Sequence, residues 1–109
     1  MKPKRYGKNS KMKLVDLSES SIANDLRDPN FAMDYLTETL ECGSLNAFLL
    51  AVRNVVKAQG GMQKSAKNTK LGRESMYKAL SKSGNPHFKT LRTILKEMGF
   101  KFRIARDAA

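Results

Sequence analysis

Residues 45–56, LNAFLLAVRNVV, constrain this chain more than any other stretch. Leu45, Phe48, Leu49, Val52, Val55 and Val56 recur at helical spacing and make a wide apolar face. A helix of that kind belongs at the centre of a core, with other elements packed around it. Ser44 stands where a cap belongs, and Gly60-Gly61 stops the run. A chain of 109 residues can supply one domain with one modest core. The remaining segments are therefore expected to form the cover.

Those segments are short and mostly helical in pattern. Asp28 can cap a preceding helix, with Pro29 in its first turn. Phe31, Ala32, Tyr35, Leu36 and Leu40 mark its inner side up to Cys42-Gly43, where Gly43 is free to turn left-handed. Residues 62–70 read as a short helix with Met62, Ala66 and Thr69 inward. A tight turn at Lys70-Leu71-Gly72 leads into LGRESMYKAL, a second short helix ending near Ser81. SKSGNP is a loop by composition. Phe88, Leu91, Ile94, Leu95 and Met98 mark a last helix, closed by Gly99. Beyond it FKFRI alternates apolar and basic residues, which is a strand signal. Met12, Met33, Met62, Met76 and Met98 read as core or gap fillers. The expectation is an all-α domain of five helices over residues 14–109, with a short C-terminal strand.

Charge divides the chain into three regimes. There are 21 Lys and Arg against 10 Asp and Glu, a net charge of +11. Residues 1–13 carry six bases and no acid; with almost no apolar content, this tail is expected to be disordered. Translation from Met12 would remove most of it. Residues 14–42 carry seven acids against Arg27 alone, and residues 43–109 return to a strong basic excess. A basic surface of this size suggests a polyanionic partner, most often nucleic acid. Cys42 is the only cysteine, so no internal disulfide can form and a reducing cytoplasm is the natural home. No apolar run reaches the ~18 residues of a membrane span, and the N-terminus lacks the apolar stretch of a signal peptide.

Two short helices, a tight turn and a small residue inside the first helix describe a helix-turn-helix. Ala66 lets the second helix cross closely, Leu71 fills the turn, and Met76 anchors the second helix to the core. That leaves Arg73, Glu74, Ser75, Tyr77 and Lys78 outside as a reading face for the major groove of double-stranded DNA. Arg73 can donate two hydrogen bonds to guanine, Glu74 can accept from cytosine, and Ser75 serves either. Gln63 at the start of the preceding helix, and Ser83 and Asn85 in the loop, suit phosphate contacts. The bland reading is a short amphipathic helix pair in a small bundle with a well-solvated basic surface. Nothing points to catalysis: His87 is the lone histidine, and there is no metal-ligand cluster, phosphate loop or nucleophile motif, so neither an enzyme nor a cofactor is expected.

The stretches RESMYKALS and GNPHFKTL carry a resemblance. Residues 12 to about 104 resemble the addiction-module antidote proteins, HigA-type antitoxins with a λ-repressor-like helix-turn-helix. The resemblance implies a small dimeric antitoxin that silences a RelE-like ribonuclease toxin and represses its own operon. It gives the acidic segment a job: Asp25, Asp34, Glu38 and Glu41 could pair with the toxin's basic surface. Asp28 is already explained by capping, and the acids could also simply keep a helix soluble. FKFRI, Phe100–Ile104, could pair with its twin in a dimer or fold back over its own helices; the family's habit favours the twin. Three positions depart from the pattern. Lys70 replaces a glycine where φ > 0 is wanted, at about 1 kcal/mol, while Gly72 and His87 replace serines at two helix starts. A stand-alone prophage-type repressor, or a protein-interaction module that has lost its DNA, would share the same fold.

Overall fold

The computed structural model describes residues 22–107. The basic stretch 1–13, with its expected disorder, lies outside them. Among the described residues six helices follow one another: α1 (Ile22–Asp25), α2 (Pro29–Cys42), α3 (Leu45–Ala58), α4 (Gly61–Thr69), α5 (Arg73–Ala79) and α6 (Phe88–Glu97). Five match the expected ones. The addition is α1, a single turn too short to show a periodicity. Gln59 secures the turn after it, donating through Nε2 to the Leu26 carbonyl at 3.1 Å.

The core is built on α3, which packs against α1, α2 and α4. Phe48, Leu49, Val52, Val55 and Val56 are all buried, joined by Ala51 and Asn54. Full burial of such side chains stabilises by about 1.5–3 kcal/mol each. Leu45 is a correction: it sits in the first turn at the rim and is 54% exposed. Asn54 reaches across the core and donates to the Tyr35 hydroxyl of α2 at 3.1 Å. Ser44 caps α3 by accepting from the Ala47 amide at 3.1 Å, and Asp28 caps α2 by accepting from Asn30 at 3.0 Å.

Between these two helices Gly43 is extended, at φ −105°, and not left-handed. What requires glycine there is space: a Cβ would stand 2.8 Å from the Thr39 carbonyl oxygen and 2.9 Å from the Ala47 methyl. α2 buries Ala32, Tyr35, Leu36 and Thr39. Leu40 and Met33, expected inside, are about half exposed, at 50% and 48%. A helix covered from one side cannot bury both flanks of its apolar stripe.

α4 packs against α3, α5 and α6. The C-terminal strand is the main correction, because no strand occurs among the described residues. After Gly99 the chain runs irregularly, with Phe100 and Phe102 packed against the core and Lys101 and Arg103 exposed. The Phe102 ring lies 6.3 Å from Phe48 and 5.0 Å from Phe88, centre to centre. The alternation holds for Phe100 and Phe102 and is satisfied by folding back over the chain's own helices; it does not extend to Ile104. Phe88, at the rim, remains 60% exposed and Ile104 almost fully so.

Candidate functional site

The helical pair α4–α5 encloses a three-residue turn whose geometry is set by Thr69. Its hydroxyl donates to the Ser65 carbonyl at 2.8 Å and accepts from the Leu71 amide at 3.4 Å. Lys70 then adopts φ 63°, ψ 21°, the left-handed conformation expected at that place, and it is the one non-glycine with positive φ among the described residues. Gly72 follows at φ 86°, ψ 144°, a combination that a residue with a Cβ resists. The turn thus asks for positive φ twice. Glycine meets the harsher demand, and lysine takes the milder.

Ala66, 5% exposed, leaves room for α5 to cross over α4. Met76 is fully buried and Leu80 nearly so, while Leu71 packs partly against the same core. Every other side chain of α5 except Ala79 is exposed. With about 3.6 residues per turn, Glu74 and Lys78 point away from Met76, Arg73 and Tyr77 flank one side, and Ser75 flanks the other. The structure therefore leaves all five expected site residues free of the core, spread around most of the circumference of α5 and not gathered on one narrow face. Gln63 is exposed in the first turn of α4, and Ser83 and Asn85 are exposed in the loop after α5. Residues 61–97 carry nine bases against two acids, so this half of the molecule is strongly positive.

One of those two acids is a residue that sequence reasoning missed. Glu97, in the last turn of α6, accepts from Asn68 at 2.9 Å and from Ser65 at 3.3 Å, and so ties α6 to α4. A signal was available. A carboxylate opposes the dipole at a helix C-terminus, which hints at a tertiary partner. His87 makes no side-chain cap at the start of α6, as its replacement of serine implied.

A second exposed surface lies on α2. Asp34, Glu38 and Glu41 fall at i, i+4 and i+7, and Met33, Thr37 and Leu40 form a parallel stripe beside them. The helix has no basic residue. Met33, Leu40 and Glu41 also wall a groove of about 340 Å³, closed on its far side by the Phe100–Arg103 stretch. Asp25, at the end of α1, stands outside this stripe, and Asp28 is spent on capping. Cys42 is exposed, with its thiol 3.4 Å from the Glu38 carboxylate. Among the described residues no three His, Cys, Asp or Glu side chains converge as a metal site, and no helix is long and apolar enough to cross a membrane.

Comparison with known proteins identifies a family. A family profile described as "Probable addiction module antidote protein" matches residues 16–106. A protein of Haemophilus influenzae, described only as uncharacterized, is 30% identical over 91 residues, covering 84% of this chain and 93% of that one. No solved structure matches.

Proposed function

Because the chain belongs to the family of probable addiction module antidote proteins, we propose that it is a HigA-type antitoxin that binds DNA through α4 and α5 and a RelE-like toxin through α2. In this reading α4 and α5 are the helix-turn-helix of a λ-repressor-like domain. α5 lies in the major groove, with Arg73, Glu74 and Ser75 at base edges and Tyr77 and Lys78 at bases or phosphates. Gln63, Ser83 and Asn85 hold the backbone on either side. The protein represses its own operon as a homodimer on half-sites about one helical turn apart. It works in the cytoplasm as a binding protein and not as an enzyme.

The observation that carries the DNA reading is the contrast within α5: Met76 is fully buried while its polar neighbours stand free. A helix kept only for packing has no need of five exposed polar residues, two of them aromatic or guanidinium, in a basic surround. For the toxin, the support is the acid-only outer side of α2 in a molecule otherwise basic. A positively charged RNA-cleaving partner complements that side.

The test is a binding titration on the duplex upstream of the gene, against a shuffled duplex, at two salt concentrations. Preference for the native duplex that survives higher salt is the expected result. Equal binding to both, collapsing with salt, would sink the sequence-reading claim. For the toxin, the product of the adjacent reading frame is expected to copurify and to lose its toxicity.

A further inference from the structure

Past the C-terminal end of α5 the structure holds a cavity of about 550 Å³. Leu50 of α3 and Leu80 form its apolar floor. Its polar walls are Asn46 and Arg53 from α3 and Lys82 and Ser83 from the loop, and no acid among the described residues lines it. Ser81 already donates to the Lys78 carbonyl at 2.9 Å, which leaves Ser83 as the hydroxyl available on that wall.

Arg53 is the odd residue here. It sits in the most apolar helix among the described residues, and its Nε is shut off from solvent with no hydrogen-bond acceptor. A buried donor on a charged group is costly to leave unmet. A turn of the Arg53 side chain that brings Nε to the cavity wall lets an oxyanion take it and a second N–H of the same fork at once.

We infer that this cavity seats a phosphate group between Arg53 and Lys82, with Ser83 and Asn46 as further donors. Two cations lining one cavity match a group carrying several anionic oxygens better than a single carboxylate. The seat itself stands on the cavity and on Arg53; only the source of the phosphate rests on the DNA-binding reading. Because Ser81–Ser83 follow directly on α5, a backbone phosphodiester of bound duplex is one source. A small phosphorylated molecule is the other, with the same chemistry.

The experiment is a titration of the full chain with inorganic phosphate at constant ionic strength, with chloride as the compensating ion. It follows the amide signals of Ser81–Ser83 and the Nε–H signal of Arg53 by NMR. Saturable shifts confined to these groups are expected, with affinity reduced at least tenfold in both Arg53→Met and Lys82→Gln. Lys82 is exposed, so its variant remains informative even where Arg53→Met disturbs α3. Shifts that track chloride equally well, or that survive Lys82→Gln unchanged, would overturn the seat. A second arm reads the source. Should Lys82→Gln weaken native and shuffled duplexes alike, several-fold, and lower the salt slope by about one, the phosphate is the duplex's. Phosphate binding with unchanged duplex affinity assigns the seat to a free phosphorylated ligand. If the native chain binds no duplex, the DNA reading fails, while the phosphate titration still decides the seat.

Discussion

α5 and α2 are both exposed helices on one small core, yet they are held in opposite ways. α5 has seven residues and buries one of them within its span, Met76, with Leu71 and Leu80 as flanking anchors. α2 has fourteen and buries four, with a capping aspartate and a first-turn proline at its start. The shorter helix gives almost its whole circumference to solvent and depends on its neighbours for its shape. The longer one shapes itself and leaves over a stripe of acids beside a stripe of apolar side chains. A helix that must enter a groove needs free sides more than intrinsic stability. A helix that meets a protein surface can be firm, and gains from an apolar strip next to its charges.

The largest expected effect tests that difference in anchoring. Met76→Ala removes the single buried side chain within α5 and should cost about 2–5 kcal/mol. In native-state hydrogen exchange the amides of α5 should lose protection well before those of α2. Equal loss in both would mean that α5 is no more weakly held than the rest. Next is Arg73→Ala, whose side chain is exposed and should leave the melting temperature unchanged. Affinity for the native duplex should fall by about 1–3 kcal/mol, roughly five- to 150-fold, with less preference over the shuffled one. No change on DNA would favour the reading in which the helical pair has become a protein-interaction module.

On the other helix, replacing Asp34, Glu38 and Glu41 together by Ala should leave duplex binding intact and weaken toxin capture. Exposed ion pairs contribute about 0.2–1 kcal/mol each, so a loss on the order of tenfold is the expected sum. Toxin neutralisation at full strength in this variant would move the balance towards a stand-alone repressor. The pair of variants, Arg73→Ala and the triple, should separate the two activities cleanly if the two helices are independent surfaces.

How much of this was legible in the sequence depended on whether a signal was local. The five longer helices and both side-chain caps could be read, because caps and a 3.6-residue period are written in neighbouring residues. The buried Met76 and the exposed residues around it followed from the same period. The C-terminal strand failed because alternation reports only which side chains turn inward. Phe100 and Phe102 turn inward onto Phe48 and Phe88, and no partner strand is needed. Leu40 and Met33 were misplaced because a pattern cannot say how many neighbours a helix will have. Glu97 and Arg53 were passed over since their meaning is tertiary. One is read only when α4 is known to lie beside α6, the other only when the cavity is seen.

The smallest effect concerns the turn that joins α4 and α5. Lys70 occupies a left-handed conformation that costs a residue with a Cβ about 1 kcal/mol or a little more. Lys70→Gly removes that strain. It also frees the unfolded chain, which offsets about 0.4–1 kcal/mol of the gain. The net should be a stabilisation of a few tenths of a kcal/mol, read as a small rise in melting temperature. The reverse exchange at Gly72, to Ser, should cost more than a cap could return, because φ 86° with ψ 144° is closed to a side chain. Serine at 72 can cap α5 only if the turn first changes shape. If Gly72→Ser is neutral alone but stabilising together with Lys70→Gly, the turn has two forms, and glycine at either end selects between them.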